Sequence, residues 1–241
     1  MREMRVLRGI RAARRVVTGN DVTIAIDVIR CSSTIISGLH NGAREFIPAA
    51  SLREVGEIIK RNPEYLTAGE RGGAKIKGFD LGNSPTEMTS ARVWGKSVVI
   101  TTSHGTGLMR CGVTRSQRLF IGALVNSSAC ADAAAQLTGH NNGDVKALIP
   151  RTWRNECVED LYAAGLIARR LVGRGFAPRG DTTRIALLTA EVPWQRVRRE
   201  LRDSPSAELV ARLGYGGDVE YSLRVDAVSL VPFSQGLSVR I

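Results

Sequence analysis

The stretch Val22-Thr23-Ile24-Ala25-Ile26-Asp27-Val28-Ile29-Arg30-Cys31-Ser32-Ser33-Thr34-Ile35-Ile36-Ser37-Gly38-Leu39 decides the reading of the fold. Residues 22–29 are apolar and largely β-branched, the composition of a buried strand. A polar turn over 27–34 follows, and Ile35, Ile36 and Leu39 then recur at helical spacing up to Gly42. The same unit repeats outward along the chain. Residues 97–101 predict a second strand, ending in Thr101-Thr102-Ser103-His104-Gly105-Thr106. Residues 145–150 predict a third, before a helix from about Glu156 to Arg170. Residues 65–68 predict a short strand that runs into Gly69-Glu70-Arg71-Gly72-Gly73, and 46–48 and 119–121 read as further strands. Ser51 with Glu54, and Ser84 with Pro85 and Glu87, have capping-box spacing and predict helix starts. With no linker or shift of composition, this alternation predicts one α/β domain over residues 1–241, in three α/β/α layers around a central mixed, largely parallel sheet. Such sheets bind ligands at the carboxyl ends of their strands, where the unusual residues of this chain lie.

The bulk composition excludes several classes. The chain is 43% hydrophobic and 24% charged, an ordinary globular balance. No apolar run approaches the roughly 20 residues that span a bilayer. Arg2, Arg5, Arg8, Arg11, Arg14 and Arg15 precede no apolar segment or cleavage site, so no secretory signal is expected. The four cysteines, Cys31, Cys111, Cys130 and Cys157, are widely spaced. That predicts reduced thiols in a cytoplasmic protein rather than a disulfide framework or a structural zinc site. The net charge of +11 gathers in the first fifteen residues and in 196–202. Neither stretch is interleaved with aromatics as a base-stacking surface would be, so a solvated basic face is favoured over nucleic-acid binding.

Four polar segments could carry chemistry. Asp27 leaves a buried strand, where a carboxylate is costly unless it is paired or binds a cation. Ser32, Ser33 and Thr34 behind it could open a helix whose N–H groups attract an anion; an Asp27–Arg30 ion pair with an ordinary cap accounts for the segment equally well. Next come Gly69-Glu70-Arg71-Gly72-Gly73 and Gly78-Phe79-Asp80-Leu81-Gly82-Asn83-Ser84-Pro85. Glu70 and Asp80 suit a hard oxygen site for Mg²⁺, and Arg71 suits a bidentate clamp on an anion. The plainer reading is a glycine-rich surface loop, but two such clusters so close together favour a site. Residues 101–107 could cradle an anion, although alone they read as a polar turn before a helix. Glu159 and Asp160 stand at a helix start, which the helix dipole favours without any function, or they supply a metal ligand and a general base. Known schemes fail the spacing test: there is no Cys-x₅-Arg, Asp-x-Asp or His-Glu-x-x-His, and Gly95-Lys96-Ser97 lacks the earlier glycine of a P-loop.

On these residues the chain resembles the 2-phosphosulfolactate phosphatases, the Mg²⁺-dependent acid phosphatases of coenzyme M biosynthesis. The matching elements run in the family's order: Ile26-Asp27-Val28-Ile29-Arg30 with Ser33-Thr34-Ile35, Asn41-Gly42-Ala43, the two glycine-rich motifs, Thr101-Thr102, Gly105-Thr106, and Glu159-Asp160 with Ala164-Gly165. Weaker matches continue through Leu213-Gly214-Tyr215 and Asp218 to Val231-Pro232. His104 stands where the family usually has asparagine and Cys31 where it has alanine, and residues 151–157 depart from its glycine-containing loop. The resemblance implies hydrolysis of (R)-2-phospho-3-sulfolactate to 3-sulfolactate and phosphate, with tolerance for other α-phosphorylated acids. On this reading Mg²⁺ binds Asp27, Glu70, Asp80 and Asp160, and Asp27, Glu70 and Glu159 are catalytic, Glu159 as general base. Substrate falls to Arg30, Ser32, Ser33, Arg71, Asn83, Ser84, Thr102, His104, Gly105 and Thr106. Water is preferred to Asp27 as nucleophile, because no acid–base carboxylate stands two residues beyond Asp27. The expected partner is a small anionic phosphorylated substrate, with no nucleic acid or membrane and with a homodimer left open. The competing readings are a phosphatase for phospholactate or phosphoglycolate, and a basic nucleic-acid binder on the same scaffold.

Overall fold

The computed structural model describes residues 1–139, 143–151 and 157–241. The elements in chain order are β1 (Glu3–Arg8), α1 (Gly9–Val16), β2 (Val22–Ile26), α2 (Cys31–His40), β3 (Glu45–Pro48), α3 (Leu52–Arg61), β4 (Leu66–Arg71) and β5 (Ala74–Lys75). There follow α4 (Ser90–Val93), β6 (Ser97–Thr101), α5 (Gly105–Arg115), β7 (Arg118–Gly122), α6 (Ser127–Gly139), β8 (Val145–Ile149), α7 (Val158–Val172) and β9 (Ala177–Arg179). The chain ends in α8 (Asp181–Thr189), α9 (Trp194–Arg202), α10 (Pro205–Arg212), α11 (Gly216–Ser222), β10 (Phe233–Gln235) and β11 (Ser238–Arg240).

The strands form one sheet in the order β5-β4-β6-β3-β11-β10-β7-β2-β8-β1-β9. Met4 and Val6 of β1, Ile24 of β2 and Ala147 and Ile149 of β8 share a core with Ala131 and Ala134 of α6 and Ala163 and Ile167 of α7. Leu7 and Leu148 point the other way, onto Ala13, Leu108 and Cys111 of α1 and α5. At the far end of the sheet Val99 packs against Val55 of α3. Alternate residues of the strands thus serve opposite layers, which makes the arrangement a three-layer α/β fold with a mixed, mostly parallel sheet.

Two parallel blocks compose the sheet, β4-β6-β3 and β7-β2-β8-β1-β9. The hairpin β10–β11 joins them, pairing antiparallel with β7 through Phe233 and with β3 through Val239. Gly236, with φ +60°, opens its two-residue turn before Leu237, as a type II′ connection requires. Three antiparallel pairings in succession leave the blocks running in opposite senses. Five pairings separate β6 from β2, and roughly 20–25° of twist at each accumulates to roughly 100–125°. The twist swings the opposed blocks toward one another, so that the carboxyl ends of β2, β4 and β6 open into one cavity.

Two sequence expectations need correction. The arginine-rich start is not only a solvated face. Residues 3–8 form a strand paired parallel to β8 and β9, with Met4 fully buried and Arg5 bonded to Glu3. Ser51 does cap α3, accepting from the Glu54 amide at 3.2 Å. Ser84 likewise accepts from the Glu87 amide at 3.2 Å, but only a turn follows and no helix begins until Ser90. The Glu87 carboxylate accepts from the Gly82 amide, tying the segment into a closed loop. The helix expected from Glu156 begins among the described residues at Val158, Glu156 itself lying outside them.

Candidate active site

Where β2 ends, the chain turns tightly back into α2. The Asp27 amide donates to Ser32 Oγ at 3.0 Å, and the Ser32 amide donates to the Asp27 carbonyl at 2.8 Å. Ser32 Oγ also donates to the Ala25 carbonyl, and Ser33 Oγ to the Val28 carbonyl. Both serines are fully buried and build the loop that aims Asp27; neither lines the cavity expected to hold substrate. Thr102 and Thr106 behave alike, exchanging amide-to-hydroxyl bonds of 3.1 and 3.2 Å that close the turn into α5.

The cavity measures about 390 Å³ and gathers residues from six parts of the chain. Asp27 and Arg30 come from the β2–α2 turn, Glu70 from the end of β4, and Asn83 from the second glycine-rich motif. Ser103 and His104 follow β6, while Cys157, Glu159 and Asp160 begin α7. Pro205, Ser206, Leu209 and Val210 of α10 close one side.

Four acids face this space, and burial governs three of them. Burial pushes the Asp27 carboxyl up to about 6, against the pull of the Cys31 amide, His104 and Arg30, with Glu70 adding to the rise. Glu159 is raised by burial, opposed by the Ser206 hydroxyl, with Asp27 adding to the rise. Asp160 lies well above the usual carboxylate range, from burial first and then from the charges of Glu159 and Asp27. Its Oδ1 accepts from the Val28 amide at 2.6 Å. Glu70 is held differently, accepting from the amides of Gly73 at 2.8 Å and Ser103 at 2.6 Å and from the Ser103 hydroxyl at 3.1 Å. Glu159 Oε2 and Asn83 Oδ1 are buried without a hydrogen-bond partner among the described residues. Buried oxygens left without donors, beside carboxyls that resist ionising, are the donor set a hard divalent cation satisfies, so these residues fit Mg²⁺.

Arg30 is the buried cation of the cavity, 3% exposed. It donates to Asp218 Oδ2 at 2.9 Å and to the Gly73 carbonyl, and its guanidinium lies 4.6 Å from the centre of the Tyr215 ring. Asp218 also accepts from Ser84 Oγ at 2.7 Å and Thr86 Oγ1 at 2.6 Å. Ser84 therefore supports Asp218 and does not face substrate. The sequence assigns no chemical role to Asp218, Tyr215 or Ser206, and one to Ser103 only as part of the run 101–107. In sequence, Asp218 is an ordinary acid in the first turn of a helix, and nothing local marks its partner 188 residues away.

Two expected residues stand apart from the cavity. The Asp80 carboxylate accepts from the Thr67 amide at 2.8 Å and the Thr67 hydroxyl at 2.7 Å on the exposed flank of β4, so it is not placed to share a metal with Asp27, Glu70 and Asp160. Arg71 is exposed, its guanidinium donating to the Glu70 carbonyl at 2.7 Å and to Thr101 Oγ1 at 3.0 Å. It does not reach the cavity as an anion clamp. Arg71→Lys should accordingly shift neither KM nor kcat by more than about twofold, the ~0.5 kcal/mol of a surface change. Steady-state kinetics of the variant check this, and a tenfold rise in KM would restore the clamp.

Gly105 opens α5 against the back of Asp27. A Cβ there would meet Asp27 Oδ2 and Cys31 Cβ, each at 2.6 Å. Gly105→Ala must push one of them aside, which should cost about 1–3 kcal/mol of stability. If Asp27 takes part in turnover, displacing its carboxylate by about an ångström should lower kcat roughly a hundredfold. Urea unfolding and turnover of the same preparation measure both effects.

The α/β sheet thus gathers buried carboxyls, two buried oxygens without donors among the described residues, and one buried arginine at its strand ends. A family model described as 2-phosphosulpholactate phosphatase matches residues 11–236. The chain belongs to the 2-phosphosulfolactate phosphatase family. It is 34% identical over 212 residues, 88% of this chain and 87% of the relative, to a Deinococcus radiodurans protein named "Probable 2-phosphosulfolactate phosphatase". Proteins with the same printed name occur in Clostridium beijerinckii, 31% identical over 219 residues and 88% of each chain, and in Thermotoga petrophila, 32% identical over 210 residues and 87% of each chain. Among the described residues, no helix is long and apolar enough to cross a membrane.

Proposed function

We propose that this chain is a cytoplasmic, Mg²⁺-dependent phosphatase that hydrolyses (R)-2-phospho-3-sulfolactate to 3-sulfolactate and phosphate. The observation that carries the reading is the buried set Asp27, Glu70, Glu159 and Asp160 around a cavity of about 390 Å³, in a chain of this family. That volume lies within the range of small-molecule sites and suits a three-carbon acid with its phosphate. Four free cysteines agree with a reducing compartment.

Asp27, Glu70 and Asp160 would hold Mg²⁺, with Asn83 Oδ1 and Glu159 Oε2 as the nearby oxygens that lack donors. When bound, the ion supplies charge on the phosphoryl oxygens and a water of lowered pKa. Glu159 is buried with a raised pKa, so it can hold and release a proton nearer neutrality than an exposed glutamate, as a general base for water needs. Arg30, fixed by Asp218 and Tyr215, offers its cationic edge to the sulfonate or carboxylate. His104 adds a donor on the side of Asp27.

A phosphate-release panel of phosphosulfolactate, phospholactate and phosphoglycolate, each with Mg²⁺ and with EDTA, tests the reading. Turnover should be fastest on phosphosulfolactate and should vanish with EDTA. Release that survives EDTA removes the metal, and a faster rate on phospholactate moves the substrate. Silence on all three, with salt-dependent retention on DNA, would favour nucleic-acid binding instead.

A further inference from the structure

At the start of α7, one wall of the cavity presents a second kind of ligand set. Cys157 Sγ and carboxylate oxygens of Glu159 and Asp160 all lie within 4.8 Å of one another. Asp160 receives the Val28 amide on Oδ1 and also a side-chain hydrogen bond from the Cys157 thiol, whose proton a bound ion would replace. Glu159 is 1% exposed, and its Oε2 has no donor among the described residues. Cys157 is half-buried and borders the cavity, so its sulfur can be reached from that side. Such a trio differs in kind from the oxygen set proposed for Mg²⁺. A thiolate is a soft donor, which Mg²⁺ does not seek and a Zn²⁺-class ion does. Three protein ligands of mixed sulfur and oxygen, open toward a cavity, match a tetrahedral ion that keeps its fourth position for water or an anion.

We propose that Cys157, Glu159 and Asp160 form a site for a thiophilic divalent cation of the Zn²⁺ class, overlapping the oxygen site at Asp160. Binding breaks the Cys157 S–H bond, sends the proton to solvent and forms a sulfur–metal bond, with no change of oxidation state. Because Asp160 belongs to both ligand sets, the thiophilic ion and Mg²⁺ compete, and Cys157 sets the preference between them. The inference rests on the ligand geometry and holds whatever ester the enzyme hydrolyses.

The test uses the full-length protein, freed of metal and titrated with Cd²⁺ and, separately, with Zn²⁺ alone. Cd²⁺ should raise a thiolate-to-metal charge-transfer band in the ultraviolet that saturates at one ion per chain. Excess Mg²⁺ should weaken the apparent Cd²⁺ affinity at least tenfold. Cys157→Ser should abolish the band, whereas the Cys111→Ser and Cys130→Ser proteins should keep it. Zinc-edge X-ray absorption of the unmutated protein at one Zn²⁺ per chain needs no variant. It should find one sulfur at about 2.3 Å with oxygen neighbours at about 2.0–2.2 Å. An all-oxygen shell, or a band that persists in Cys157→Ser, overturns the site. A band present in a protein that hydrolyses no phosphate ester would retire the proposed function and leave this site standing.

Discussion

Asp27→Asn should lower kcat by at least about a thousandfold, on the order of 4 kcal/mol of transition-state stabilisation, and leave the protein folded. The substitution keeps the shape that fits against Gly105 and the acceptor for the Cys31 amide. It removes only the charge through which Asp27 would hold the cation. The same change should alter stability in a way that depends on pH. Without a bound cation, folded Asp27 keeps its proton up to a pH of about 6, whereas an unfolded chain releases it near 3.9. Between those values the native state binds more protons than the unfolded state. Its favourable contribution is therefore complete below about pH 4 and is lost as the pH rises through about 6, amounting to about 3 kcal/mol. Asparagine cannot ionise and escapes that loss. Measured by thermal unfolding in EDTA, the variant should gain on the unmutated protein as the pH climbs through this window, and Mg²⁺ should narrow the gap. A difference that stays flat with pH would mean that Asp27 is not held protonated, and retained turnover would remove it from the chemistry.

Asp218→Asn should be the most destabilising single change near the site. Arg30 and Asp218 are both almost wholly buried and bonded at 2.9 Å, with side-chain exposures of 2% and 0%. Removing one charge of such a pair strands the other, at a cost of about 3–5 kcal/mol. In a protein of this length each kcal/mol lowers Tm by roughly 2–4 °C, so a fall of roughly 6–20 °C is expected. Asparagine can still accept from Ser84 and Thr86 through Oδ1, but its amide nitrogen then meets the Arg30 donor, so the charge and the acceptor for Arg30 are lost together. Arg30→Gln combined with Asp218→Asn should be more stable than the sum of the single changes implies, since no unpaired charge remains. In kinetics the lone Asp218→Asn should raise KM more than it lowers kcat, because Arg30 loses its fixed place at the cavity wall. Additive stabilities and an unchanged KM together would show that Asp218 does not position Arg30.

Strands β2, β3, β6, β7 and β8 were legible in the sequence because each is a short apolar run buried on both faces. Burial of that kind writes itself directly into composition. Of the acids that face the cavity, Asp27 and Glu70 were legible for a related reason, since a carboxyl at the end of an apolar strand or in a glycine-rich turn is costly to bury. Glu159 and Asp160, ordinary acids at a helix start, were marked only by the family resemblance. Strands β1, β9, β10 and β11 were not. They are half-exposed or three residues long, and only their pairing with distant strands makes them strands.

Which polar groups face the cavity was decided by tertiary structure. Ser32, Ser33, Ser84, Thr102 and Thr106 carry the chemistry expected of a phosphate cradle, yet hydrogen bonds within the loops and to Asp218 occupy them. Glu70 and Arg71 make the clearest case. Read as a loop after a strand ending at 68, both can face one ligand; as the last two residues of β4, they cannot. Successive side chains of a strand point to opposite faces, so the extension that sends Glu70 into the cavity turns Arg71 away. The length of β4 is set by its pairing with β6 and β5, through contacts that no local pattern records.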